Sequence, residues 1–267
     1  MSQQFEVGVI GAGVMGEAII SALISYGVSP EQITVSEKRE ERSRELVERY
    51  SIQVAEIKET VANAQVLLLV VKPQDLASVL NEIKASLNQK TLVVSFAAGK
   101  KISYISQALG KDNPVIRVMP NTATLVGAGM AAMSTGPHVN EWGATFVSQF
   151  LSSTGQVIEV PEDLQDAITA TSGSGPAYFF SFVEAMIEGA EALGLSHEIA
   201  TQLTLQTMIG AAKLLEVSGK TATTLRENVT SPNGTTAAAL ASFQNDELAK
   251  VVARAMQAAR DRSQELA

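Results

Sequence analysis

The apolar positions of this chain fall into short runs separated by amphipathic stretches. Phe5-Glu6-Val7-Gly8-Val9-Ile10 reads as a buried strand that stops at a cluster of glycines. Glu17 to Ser25 has helical spacing, Ile33 to Ser36 reads as a second strand, Glu40 to Tyr50 as a charged helix, and Ile52 to Val54 as a short third strand. Val66 to Val71 (VLLLVV) is apolar without interruption, as expected of a strand covered on both faces. Thr91 to Ser95 and Pro114 to Val118 read as two more strands, with helical segments at Leu76 to Leu87 and Lys101 to Leu109 between them. This alternation predicts an α/β fold with a doubly wound, mostly parallel sheet of Rossmann type. Gly129 to Met133 and Gln156 to Val160 are expected to add edge strands.

After Pro161 the pattern changes. Ala, Thr, Leu and Gln dominate, and helical stretches run from Ala177 to Leu193, His197 to Val217 and Asp246 to Ser263. The expected organisation is therefore an α/β domain over residues 1–161 and an all-helical domain over residues 162–267.

Composition narrows the function classes. Hydrophobic residues make up 46% of the chain and charged ones 18%, a globular balance. The net charge of −8 comes with no basic patch, which argues against nucleic acid or an anionic membrane surface as a partner. The absence of cysteine excludes disulfides, a thiol nucleophile and thiolate metal sites, and no metal site is expected. The residues from Met1 to Glu6 lack the basic start and apolar run of a secretory signal, so a cytoplasmic location is expected. The longest apolar run is far too short to span a bilayer.

Gly11-Ala12-Gly13-Val14-Met15-Gly16 fits G-x-G-x-x-G directly after a strand and at the start of a helix. In that context each glycine has a physical task. Gly11 permits the tight turn, Gly13 lets a pyrophosphate approach the backbone, and Gly16 lets the helix pack on the sheet. The helix start offers free N–H groups to the phosphates. An acidic residue about 20 positions on would hold the adenosine ribose of NAD, and Glu37 qualifies. Ser36 and Arg39 would instead suit the 2′-phosphate of NADP. The balance leans slightly to NADPH, with NADH also open.

In such sheets ligands sit beyond the carboxyl ends of the strands. Three of these ends carry unusual residues: Val71-Lys72-Pro73, Phe96-Ala97-Ala98-Gly99 and Met119-Pro120-Asn121. The small side chains of Ala97, Ala98 and Gly99 would let a flat nicotinamide come close. Each loop alone could equally be an ordinary strand-to-helix connection.

Far downstream, a polar knot from Thr230 to Thr236 (TSPNGTT) interrupts Ala-rich helical sequence. Ser and Thr are favoured helix caps and Pro is favoured in the first turn, so Thr230-Ser231-Pro232 reads as a helix start. Such an end suits a small carboxylate, although plain capping of a structural helix explains it too.

Taken together, these residues resemble the pyrroline-5-carboxylate reductase family. The resemblance rests on the GAGVMG loop, Val71 to Gln74, Arg117 to Thr122, Ser172 to Tyr178 and, above all, Leu225 to Leu240, which follows the signature L-x-x-x-V-x-S-P-x-G-x-T. It implies the last step of proline biosynthesis, reduction of the imino acid 1-pyrroline-5-carboxylate to L-proline with NADPH or NADH. It also implies a helical domain for dimerisation and substrate binding, an active site formed between subunits, and homodimers that often assemble further into decamers. Ser231, Gly234, Thr235 and Thr236 would hold the substrate carboxylate and ring. Thr236 would take the catalytic position by hydrogen-bonding the ring nitrogen, directly or through water. Asn228 and Glu162 match family positions near the cofactor. Asn233 stands where many members have Gly, and Asn tolerates the positive φ such a turn needs.

Other readings remain. A β-hydroxyacid dehydrogenase would need a lysine base, for which Lys213 is the candidate on the long helix. A redox sensor would bind NADP without turnover. His138 and His197 lie outside the motifs and read as surface residues. Gly173 and Gly175 read as packing or hinge positions.

Overall fold

A computed structural model describes residues 5–266. Its first unit runs up to Ser174 and takes back the chain from Ala258 onward; the second is Gly175–Gln257. The first unit therefore extends past residue 161. It does so because residues 162–174 are tied to the sheet by side-chain hydrogen bonds, described below.

The sheet unit contains β1 (Val7–Ile10), α1 (Val14–Tyr26), β2 (Ile33–Ser36), α2 (Glu40–Tyr50), β3 (Gln53–Val54), α3 (Ile57–Asn63) and β4 (Val66–Leu69). It continues through α4 (Pro73–Ile83), β5 (Leu92–Ser95), α5 (Ile102–Leu109), β6 (Val115–Met119), β7 (Gly129–Thr135), α6 (Glu141–Ser152) and β8 (Gly155–Glu159). A short helix, α7 (Gln165–Ile168), runs on into a π-turn at Thr169–Gly173.

The strand order is β3-β2-β1-β4-β5-β6-β7-β8. All neighbours pair in parallel except β6 and β7, which are antiparallel. The order reverses between β1 and β4, where a doubly wound sheet opens its ligand crevice. β8 is the expected edge strand. β7 is not an edge, because β6 and β8 flank it.

Side-chain alternation divides the core between the two sheet faces. Val7, Val9, Leu68 and Val94 face α1 and α6, together with Ile19, Leu23, Phe146 and Phe150. Ile10, Leu67, Leu69 and Val93 face α4 and α5, together with Leu76, Leu80, Ile105 and Leu109. Burial on both faces explains why β4 reads as a continuous apolar run. The sequence pattern missed α3 and α6; α6 is announced by Asn140, whose side chain accepts a hydrogen bond from Gly143 N–H at 2.9 Å.

The second unit contains α8 (Gly175–Ala192), α9 (His197–Ser218), α10 (Ala222–Asn228), α11 (Thr235–Asn245) and the first part of α12 (Leu248–Glu265). Here only Gly175, Ala200 and Thr204 are buried. Phe179, Ile209 and Val217 are each more than 60% exposed. Helices this apolar on their outer faces need cover from another chain. No helix among the described residues is long and apolar enough to cross a membrane.

Candidate active site

The glycine loop lies between β1 and α1. Gly11 has φ +88°, and a Cβ there would sit 2.6 Å from the carbonyl oxygen of Val70. A Cβ at Gly16 would sit 2.4 Å from the Gly11 carbonyl, so the helix packs close under the loop. Gly13, the N-cap of α1, has open space where a side chain would be, and no side chain caps the helix. An exposed backbone above an uncapped helix start fits the pyrophosphate of a dinucleotide. Ala12 is buried, Met15 is partly buried, and Val14 is 63% exposed.

Ala12 is clamped on both sides of its peptide. Its N–H donates to Glu37 Oε2 at 2.9 Å, and its carbonyl accepts from Arg42 Nε at 3.0 Å. Arg42 also pairs with Glu17 on α1 and with Glu45. Burial pushes the Glu17 carboxyl up, but hydrogen bonds from Arg42, Tyr50 and Arg49 outweigh it and hold the group below the usual carboxylate range. The motif reading missed Glu17 and Arg42 as loop supports. Their only sequence signal is an acid inside the first turn of α1 and a surplus of arginine on α2.

At the end of β2 the Glu37 side chain is only 9% exposed. Its Oε1 accepts from Arg39 N at 3.1 Å and from Arg39 Nε at 3.0 Å. Burial pushes this carboxyl up as well, and the bonds from Arg39 and Ala12 bring it below its ordinary value. The acid is thus already engaged within the protein, while the Arg39 side chain is 63% exposed. Ser36 lies beside them, and its carbonyl accepts from Gly11 N–H at 3.0 Å. These residues, with Gly11, Gly13, Val71 and Lys72, line a cleft of about 1430 Å³.

The other strand ends follow the same rim. Lys72 is the N-cap of α4 and Pro73 its first residue. Ala97 and Gly99 are buried and Ala98 is half-buried after β5. Met119, Pro120 and Asn121 leave β6. The Asn121 side chain is engaged at both ends: it accepts from Met130 N–H at 3.2 Å and donates to the Ser172 carbonyl at 3.1 Å. A Cβ at Gly173 would lie 2.4 Å from Cε at the tip of the Met119 side chain, while Gly175 has open space around it. Glu162 Oε1 accepts from Ile102 N–H, the first residue of α5, at 2.7 Å.

In the helical unit the polar knot forms a turn ahead of α11. Gly234 N–H donates to the Ser231 carbonyl at 3.0 Å, and Asn233 has φ +58°. Pro at the second position with a left-handed residue at the third is the type II arrangement. Ser231 and Pro232 therefore do not start the helix, as their types predicted. The N-cap is Gly234, without a side-chain cap, and Thr235 and Thr236 are the first helical residues. Their amides and hydroxyls form the helix start, with Thr235 exposed and Thr236 half-buried. Asn228 ends α10 and is exposed.

The remaining candidates are solvent-side. Lys213 is 67% exposed and pairs with Glu216 at 2.7 Å. His138 and His197 are 55% and 75% exposed, against Asp112 and Glu191. Among the described residues no cluster of His, Asp and Glu is placed to hold a metal.

Strand order, glycine loop and uncapped α1 define a Rossmann-type dinucleotide-binding protein. Comparison with known proteins narrows the class. A family model described as NADP oxidoreductase, coenzyme F420-dependent, matches residues 6–99, and one described as pyrroline-5-carboxylate reductase dimerisation matches residues 162–266. The pyrroline-5-carboxylate reductase of Corynebacterium melassecola is 40% identical over 264 residues, covering 97% of this chain and 98% of its own. A solved pyrroline-5-carboxylate reductase from Coxiella burnetii superposes with a TM-score of 0.89 at 34% identity, covering 99% of each chain. A Plasmodium falciparum pyrroline carboxylate reductase solved with NADP bound gives 0.89 at 28% identity, covering 99% of this chain and 98% of its own. The chain belongs to the pyrroline-5-carboxylate reductase family.

Proposed function

We propose that this protein reduces 1-pyrroline-5-carboxylate to L-proline, the last step of proline biosynthesis, with NADPH as the preferred reductant and NADH as an alternative. The observation that carries this reading is the 40% identity to a reductase of that name over nearly the whole of both chains. The Ser231-to-Thr236 turn supports it, because it feeds an uncapped helix start.

Bound NADPH would supply a hydride to the imine carbon, and the imine nitrogen would take a proton to become the amine of proline. The residues of this chain need only bind and align. Gly11 to Gly16 would hold the pyrophosphate against the α1 start. Ser36 and Arg39 would take the 2′-phosphate, with the Glu37 carboxylate paired to Arg39 beside them. Val71, Lys72, Pro73, Met119, Pro120 and Asn121 would line the cofactor path, with Ala97 to Gly99 against the nicotinamide. Glu162 and Asn228 would stand near it, Glu162 by fixing the start of α5. Ser231, Gly234 and Thr235 would receive the substrate carboxylate. Thr236 would hydrogen-bond the ring nitrogen. An imine can arrive protonated, so the site needs no strong acid.

In this reading residues 1–161 bind the dinucleotide and residues 162–267 dimerise and bind substrate. The exposed apolar helices support a homodimer, and further assembly to a decamer follows the family pattern. A cytoplasmic location is part of the same reading. The test is nicotinamide absorbance with pyrroline-5-carboxylate, comparing NADPH with NADH and wild type with Thr236→Ala. Expected are oxidation by wild type, faster with NADPH, and a kcat on the order of 100-fold lower in the variant through lost alignment. Absence of oxidation by a chain that binds NADPH would sink the proposal.

A further inference from the structure

The last turn of the chain returns to the sheet unit and closes on the loop after β5. Gly99 has φ +75°, and a methyl group there would lie 2.5 Å from the Ser263 carbonyl oxygen and 2.8 Å from Leu266 Cβ. The backbone of this loop and the end of α12 are therefore in direct packing contact, and only glycine fits between them. Ser263 is itself 2% exposed.

From Ser263 a polar chain, buried at Ser263 and Arg117 and half-buried at Asp166 and Glu162, leads to the other end of the same loop. Ser263 Oγ donates to Asp166 Oδ1 at 2.8 Å, and Arg117 Nη2 donates to the same oxygen at 3.2 Å. Arg117, on β6 and 2% exposed, also pairs with Glu162 Oε1 at 3.5 Å. Glu162 Oε1 in turn accepts from Ile102 N–H at 2.7 Å. The segment from Phe96 to Lys101 is thus fixed by β5 at its start, by Glu162 at its end, and by the α12 terminus across Gly99. A buried guanidinium shared between two carboxylates holds one geometry, because moving either partner strands a charge.

We infer that the C-terminal turn, through Ser263 and Leu266, is a positioning element that sets the Ala97–Gly99 loop for the dinucleotide. This rests on the proposed placement of that loop against the nicotinamide. Neither residue touches the reacting atoms: Leu266 acts by packing on Gly99, and Ser263 acts through Asp166, Arg117 and Glu162.

The test uses the 267-residue chain, its Ser263→Ala variant, and a chain lacking residues 264–267. Each is titrated with NADPH by calorimetry, melted, and assayed for kcat and for KM of the imino acid. The inference predicts NADPH binding weakened about tenfold by the deletion and about threefold by Ser263→Ala. The kcat falls in parallel, KM for the imino acid stays near wild type, and the melting temperature of Ser263→Ala stays within about 5 °C. Unchanged NADPH affinity in a folded Ser263→Ala variant overturns the inference, whether or not the shortened chain folds. Weaker affinity that only tracks a lower melting temperature overturns it as well. A wild-type chain that binds neither NADPH nor NADH overturns the dinucleotide reading, and the inference with it.

Discussion

In the sheet unit Leu67, Leu68 and Leu69 are wholly buried, while in the helical unit Phe179, Ile209 and Val217 stand more than 60% exposed. Both segments are rich in apolar residues. The difference lies in what each can find within one chain. A strand between two others, with helices on both faces, has its burial completed locally. A helix pair with no sheet behind it does not, and a second copy must complete it. The sheet unit is therefore self-sufficient in its core and its loop geometry, and the helical unit is not.

That contrast can be broken most severely at the glycine loop. Gly11→Ala would force a side chain into a left-handed backbone against the Val70 carbonyl, costing about 2–4 kcal/mol. The expected result is NADPH affinity lowered at least ~100-fold, read by calorimetry, with the loop displaced or the sheet unit partly unfolded. Retained affinity would mean that the loop is softer than its packing implies.

A smaller and more selective effect is expected at the adenosine end. Glu37 is engaged by Ala12 and Arg39, and Arg39, with its side chain 63% exposed, is the cation expected to meet a 2′-phosphate. Arg39→Ala should raise Kd for NADPH about tenfold and leave NADH within about twofold. Equal losses for both would reassign Arg39 to holding Glu37 in place.

The smallest effect is on acid stability. Folded-state values of Glu17 and Glu37 lie below the ordinary 4.5, so on acidification the unfolded chain takes up protons first. Their stabilisation is full above about pH 5.5 and is lost as pH falls through the lowered folded values. Urea midpoints should therefore drop below about pH 5, with a shallower slope in Glu37→Gln. An unchanged slope would show that Glu37 is held no more strongly in the folded chain than in the unfolded one.

The same contrast governs what could be read from sequence. β2 and α2 fall where the pattern set them, Ile33–Ser36 and Glu40–Tyr50, because each meets its surroundings through a regular period. The glycine loop was legible because its three glycines answer to backbone constraints. α3 was too short to show a period. β7 was expected at an edge because pairing order is not a local property. The types of Ser231 and Pro232 suit a helix start and a turn equally, and Asn233 with its positive φ decides for the turn. The chain from Asp166 to Ser263 joins residues far apart in sequence, and its one local sign is a charged Arg117 inside an apolar strand. The helices of the second unit are legible from their period, and the family resemblance implies that they dimerise; which side chains need cover shows only in their burial.

The most direct test of the contrast is Ile209→Glu, at a residue of α9 that is 61% exposed, followed by light scattering and NADPH titration of the same sample. The account predicts a smaller species than wild type, still able to bind NADPH, with reductase activity at least ~100-fold lower. An assembly of unchanged size and activity would contradict it, and the exposed helices would then not be the surface through which the copies meet.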